Sequence, residues 1–166
     1  MKFRIHLGRY FTMALYLAVL VTLCDQLSKW WLLNNIMVPP RVVPVTPFLN
    51  YVLVWNKGVT FGLLNQFDHR LMAYVLIAVA LIILFLLGRW LTRTTSMVVA
   101  LGLGSIMGGA VGNVIDRLRF GGVVDFLDFY YRDYHWFAFN IADAAIVTGV
   151  GLLLLDSLVD TLVRTR

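Results

Sequence analysis

Four stretches of this chain are apolar for long enough to cross a lipid bilayer: Tyr10 to Leu33, Leu71 to Gly88, Thr94 to Ile115, and Ile141 to Leu155, the last extending toward Val163. A spanning helix needs about 20 apolar residues, and in hydrocarbon every backbone group must find its partner within the protein. The pattern therefore predicts a helical membrane protein. Composition agrees, because 60% of the 166 residues are hydrophobic and only 14% are charged, too few to coat a soluble domain. The one cysteine, Cys24, excludes an internal disulfide and, lying in an apolar run, reads as a packing residue. The 14 basic residues are scattered singly around the spans, which suits membrane flanks and predicts no nucleic-acid partner. The fold expected is membrane all-α: one domain over residues 1–166, with spans at about 10–33, 71–88, 94–115 and 141–163.

The first span has a basic start (Lys2, Arg4, Arg9), as a signal peptide would, but Asp25-Gln26-Leu27-Ser28-Lys29 stands where a small-residue cleavage site would be. An uncleaved first helix is expected. Four spans place both termini on one side. The basic residues divide evenly, but they are denser in the short terminal segments and at Arg89 and Arg93, which predicts termini inside. Two outer segments then remain. Residues 39–66 hold all four prolines, followed by a strand-like run Leu49–Trp55, a turn Asn56-Lys57-Gly58 and a return strand Val59-Thr60-Phe61, together a small sheet on the membrane. Residues 116–140 read as an outer loop rich in aromatic rings, either a belt at headgroup level or a wall around a lipid-bearing substrate. In the third span Gly104, Gly108 and Gly112 share a face and predict close helix packing, with Ala142, Ala145 and Gly149 of the fourth span as the matching face.

Ionisable groups at membrane depth need partners or a role. Asp25 and Lys29, four residues apart, share a helix face and read as an anchoring ion pair or a substrate contact. Asn113, Asp116 and Arg117 close the third span. There an Asp–Arg pair would tie the helix end to a neighbour, Asp116 reads as structural support, and Arg117 is also suited to a lipid phosphate or an oxyanion. Asp125 lies in Gly121-Gly122-Val123-Val124-Asp125-Phe126, which reads as a bend and then a short extended piece among apolar residues, where burial raises a carboxyl pKa, whereas Asp128 and Asp133 look solvent-facing. Asn140 and Asp143 have the spacing of a capping box at the start of the fourth span. Taken together, Asp125 and Asp143 flank one outer segment at the ends of antiparallel spans. Two carboxylates brought together there would share a proton, one activating water and the other polarising a carbonyl, which is aspartic peptidase chemistry. His6, His69 and His135 lie in separate segments without metal-ligand spacing, so neither metal nor other cofactor is expected.

Five motifs in this order resemble the bacterial lipoprotein signal peptidases, also called type II signal peptidases. They are Asp25-Gln26-Leu27-Ser28-Lys29, Asn56-Lys57-Gly58-Val59-Thr60-Phe61-Gly62, Gly108 through Arg117, Val123-Val124-Asp125-Phe126, and Phe139-Asn140-Ile141-Ala142-Asp143. The resemblance covers nearly the whole chain. It implies four transmembrane helices with an extracytoplasmic β-cradle over about residues 39–66, in the cytoplasmic (inner) membrane. It implies a catalytic dyad of Asp125 and Asp143, with Asp25, Lys29, Asn56, Gly58, Asn113, Arg117 and Asn140 supporting it or binding substrate. The substrate implied is a diacylglyceryl-modified prolipoprotein cleaved before its lipidated cysteine, with membrane lipids and globomycin-type inhibitors as further partners. A monomer is expected. Two positions depart from the family pattern: Val59-Thr60 replaces a small Ala-Ala, and Phe137 stands where proline is common. Both bear on cradle or loop shape. The competing readings of the residues alone are a proton-coupled transporter relaying through Asp25, Asp125 and Asp143, and a scaffold in which these acids only cap and pair.

Overall fold

The computed structural model describes residues 8–58 and 69–164. The Val59–Phe61 return strand, the Val59-Thr60 departure and the basic residues Lys2 and Arg4 lie outside the described residues. Within them are four helices long and apolar enough to cross a membrane. They are α1 (Phe11–Trp31, continued by a π-helical turn Leu32–Ile36), α2 (His69–Leu91), α3 (Met97–Phe120) and α4 (Ile141–Arg164). An antiparallel sheet in the order β1-β2-β3-β4 is built from Val43–Thr46, Leu49–Asn56, Val123–Tyr131 and Tyr134–His135.

The central helix is α3, with 13 of its 24 residues buried. Its glycines make this position available, though not as the periodicity suggested. The Gly104–Gly108–Gly112 stripe faces α1: a Cβ at Gly104 would stand 2.6 Å from the Ala14 carbonyl oxygen, and one at Gly108 would stand 2.5 Å from that of Ala18. The face toward α4 is instead Gly102 and Gly109, which meet Gly149 and Ala142. Two glycine faces let two backbones approach one helix, which is how a helix becomes buried where lipid supplies no hydrophobic drive. The apolar residues on the far sides of α1, α2 and α4, such as Leu20, Ile82 and Leu154, are exposed, as lipid-facing residues are. Cys24 is among these exposed residues and is not a core packing residue. Replacing Gly104 by Val is expected to destabilise the fold by about 1–3 kcal/mol through overpacking. Gly151→Ala, where a Cβ meets nothing within 4 Å, should be neutral or slightly stabilising. Thermal unfolding of both in detergent checks this, and equal melting temperatures would contradict the close approach.

Two further expectations need correction. The third helix runs five residues past Ile115, because its polar last turns find partners, and it stops at Gly121 in the left-handed region at φ 73°. The outer segment 116–140 is not a loop in its middle. Val123–Tyr131 is a strand, because the backbone of β2 needs a partner ladder and β3 supplies it. The register slips between Tyr51 and Val54, so β2 carries one extra residue there. Asn50 and Asn56 would share a face on a regular strand. The bulge turns them to opposite faces, Asn50 opposite Asp128 and Asn56 toward Asp125.

Candidate active site

The sheet meets the helix bundle at Asp125. This residue follows Val124 on β3, and its side chain is only 2% exposed. Phe139 is pinned alongside β3 by backbone bonds with Leu127 and Phe126 (2.8–3.1 Å), so the next residue, Asn140, lies beside Asp125. Asn140 is also the N-cap of α4. Its Oδ1 accepts from the Asp143 N–H at 2.9 Å, and its own N–H donates to Asp143 Oδ2 at 3.3 Å, the reciprocal pair of a capping box. The Asn140 Nδ2 donates to Asp125 Oδ1 at 2.6 Å. One side chain therefore joins the two candidate aspartates.

The remaining carboxylate oxygens are also engaged. Asn56 Nδ2 donates to Asp125 Oδ2 at 2.9 Å, and Asn113 Nδ2 donates to Asp143 Oδ1 at 2.8 Å. Asn56 is itself held by the turn predicted for it, its Oδ1 accepting from the Gly58 N–H at 2.9 Å. Gly58 has φ 78°, a conformation that favours glycine. Arg117 donates to the Asn113 carbonyl at 3.2 Å and lies in the field of Asp143, Asp116 and Asp125.

Behind this pair is a second buried cluster. Lys29 Nζ sits 2.8 Å from both Asp25 Oδ2 and Asp116 Oδ2. The expected Asp25–Lys29 pair is present, but Asp116 pairs across helices with Lys29 and not with Arg117, because Lys29 points into the buried α1–α3 contact. Both acids also reach the segments in front. Asp25 Oδ1 accepts from the Ala142 N–H at 3.0 Å, and Asp116 Oδ2 also accepts from the Val124 N–H at 3.1 Å. Each acid thus holds the backbone N–H of the residue immediately before a candidate aspartate. Sequence reasoning passed over Gln26, whose Nε2 bridges Asp25 (3.1 Å), Asp116 (2.8 Å) and the Gly112 carbonyl (3.2 Å). Its signal was present, since a neutral amide at membrane depth also needs partners. Asp128 is not solvent-facing: it is buried between Asn50 and His135 on the other face of the sheet. Asp133 is exposed in the β3–β4 turn, as expected.

Burial pushes the Asp125 carboxyl up from its ordinary 3.8 to about 6. The Asp143 charge pushes the same way, while the amides of Asn56 and Asn140 and the charge of Lys29 hold it back. The folded protein therefore binds this proton more tightly than the unfolded chain does. The stability that Asp125 contributes is full below 3.8 and is lost as pH rises through about 6. The melting temperature of the wild type should fall across that interval relative to Asp125→Asn, with the two curves parallel elsewhere. Curves parallel throughout would show that the carboxyl is not raised.

A model of the family "Signal peptidase (SPase) II" matches residues 17–159. The lipoprotein signal peptidase of Methylorubrum extorquens is 44% identical over 144 residues, covering 86% of this chain and 84% of its own. That of Nitrobacter hamburgensis is 43% identical over 149 residues, covering 87% and 90%. A bacterial membrane enzyme structure determined by the in meso method at 2.3 Å superimposes with a TM-score of 0.79 at 28% identity, covering 94% of this chain and 93% of the other. Four spanning helices, an antiparallel sheet and matches of this extent show that the chain is a multi-pass bacterial membrane protein belonging to the signal peptidase II family.

Proposed function

We propose that this protein is an aspartic endopeptidase that removes the signal peptide from diacylglyceryl-modified prolipoproteins, with Asp125 and Asp143 as the catalytic pair. The observation that carries the proposal is Asn140, whose side chain bonds the Asp125 carboxylate and the Asp143 backbone N–H and so holds the two residues side by side. The reaction needs no group beyond the pair and water. One carboxylate takes a proton from water as its oxygen adds to the scissile carbonyl carbon, and the protonated partner donates to the carbonyl oxygen. The tetrahedral intermediate collapses with cleavage of the C–N bond. The cysteine nitrogen takes up a proton, and the signal peptide leaves with a new carboxyl terminus. Asp125, with its raised pKa, is suited to hold the shared proton.

The other residues support this chemistry by position. Asn56, Asn113 and Asn140 orient the carboxylates, the Gly58 turn holds Asn56, and Asp25, Lys29 and Asp116 hold the backbone before each aspartate. An apolar groove of about 290 Å³ between α2, α3 and α4 ends at Asn113 and Arg117, and is suited to the hydrophobic part of a substrate arriving from the bilayer. The protein works in this reading as a single-domain monomer in the cytoplasmic membrane, with termini cytoplasmic and the aspartates toward the extracytoplasmic face, in contact with membrane lipids and open to globomycin-type inhibitors. A proton relay fits the geometry less well, because Asp25 is closed off by Lys29 and the α4 backbone.

The test is incubation of the purified protein in detergent with a diacylglyceryl-modified lipobox peptide and its unlipidated twin, read by mass spectrometry. Cleavage immediately before the lipidated cysteine, with the twin left intact, is expected. Cleavage elsewhere, or none across several lipobox sequences by folded protein, overturns the reading.

A further inference from the structure

We propose that the ends of α2 and α3 nearest the aspartates hold the headgroup of an anionic phospholipid, in a cavity beside the peptidase site that shares Arg117 with it. The cavity, of about 450 Å³, lies between the turn after β2, the first turns of α2 and the last turn of α3. Four cations line it, Lys57, Arg70, Arg117 and Arg119, and among the described lining residues there is no acid. Arg117 belongs partly to the peptidase site, where three carboxylates answer its charge. Lys57 and Arg119 have no carboxylate partner among the described residues. Arg119 lies over the Phe120 ring, 4.7 Å from its centroid, and reaches Gln26 Oε1 only at 3.4 Å. Lys57 and Arg119, like-charged and lining one cavity, are at their lowest energy with an anion between them, and an arginine fork beside a lysine suits a phosphate.

The surroundings favour a lipid as the source of that phosphate. The cavity opens at the ends of two membrane helices, where headgroups lie, and the exposed side chains of Tyr74 and Leu118 at its edge are placed to meet acyl chains. A net-anionic lipid such as phosphatidylglycerol fits best, because the choline of phosphatidylcholine would bring a further cation to the cluster. A bound headgroup would join Lys57 to the end of α3. Lys57 lies between Asn56, which bonds Asp125, and Gly58, so the lipid would brace the turn that holds Asn56.

The experiment reads binding, not turnover, and is therefore independent of the peptidase proposal. Delipidated protein is titrated in detergent with phosphatidylglycerol, phosphatidylcholine or inorganic phosphate, and bound lipid is counted by native mass spectrometry. The wild type should retain phosphatidylglycerol over phosphatidylcholine, and Lys57→Gln and Arg119→Gln should each weaken that retention about fivefold. Arg119→Lys, which keeps the charge, should retain most of it, as should Arg93→Gln at the opposite end of α2. Thermal melting confirms that each variant is folded. No preference for phosphatidylglycerol, or equal weakening by Arg93→Gln, overturns the site. Displacement of phosphatidylglycerol by an equal concentration of inorganic phosphate overturns the lipid assignment and leaves a small-anion site.

Discussion

Asp125→Asn and Asp143→Asn are each expected to fold and to lose cleavage of the lipidated peptide by about 10³-fold or more. The substitution replaces one carboxyl oxygen by NH2 and changes almost no volume. An amide neither takes a proton from water nor donates one to a carbonyl oxygen at useful cost, so either replacement disables the pair. The double variant should be no worse than the singles, because groups that act as a unit do not contribute additively. Stability should change little at neutral pH, for a reason specific to each site. At Asp125 the change removes a buried charge whose pKa has been driven up to about 6, which offsets the mismatch of a new NH2 facing the donors of Asn56 or Asn140. At Asp143 the capping role survives, since an amide oxygen still accepts from the Asn140 N–H. Initial rates against the lipidated peptide, with melting curves for each protein, decide the matter. Retained activity in either folded variant would remove that aspartate from the catalytic pair.

The four spans, the β2 strand and the proximity of Asp125 to Asp143 were legible because each follows from local pattern. Apolar length marks a span, and antiparallel helices joined by one outer segment bring their ends together. The capping box of Asn140 and Asp143 was legible for the same reason, since both partners lie within four residues. What the sequence withheld is the identity of neighbours. Periodicity showed that Gly104, Gly108 and Gly112 share a face but not that α1, rather than α4, covers it. Spacing allowed Asp116 to meet Arg117, but the buried Lys29 of another helix is its partner. Asp128 looked solvated because it was read as part of a loop, although its neighbours Leu127 and Phe129 are apolar; strand alternation puts it three residues from Asp125 and so on the opposite face, against Asn50 and His135. That alternation was itself hidden because the extended piece read at Val123–Phe126 stopped short of Asp128, whereas the strand runs on to Tyr131. The bulge in β2 has no sequence signature in Tyr51-Val52-Leu53-Val54, yet without it Asn56 would not face Asp125.

Lys29→Met is the substitution expected to cost the fold most, about 3–5 kcal/mol, because it leaves two buried carboxylates with no cation between them. Asp25 is 0% exposed, Asp116 0% and Lys29 2%, so water cannot take the place of the lost ammonium. Gln26 offers both acids the same amide hydrogen donor group but no charge. The damage should also reach the aspartates in front. Asp25 and Asp116 hold the N–H groups of Ala142 and Val124, and two carboxylates left facing each other without the ammonium will not hold them in the same place. A displacement near 1 Å at the reacting groups is enough to cost about 100-fold in rate. Stability and activity should therefore fall together in Lys29→Met. They should separate in the triple variant Lys29→Met, Asp25→Asn, Asp116→Asn, where no buried charge is left unpaired: melting should recover much of the loss, while activity stays low because neutral amides accept the two backbone bonds more weakly. Thermal unfolding and initial rates on the same preparations test both halves. A Lys29→Met protein that melts with the wild type would mean that the cluster does not anchor the site, and a triple variant with full activity would mean that the two backbone bonds do not position it.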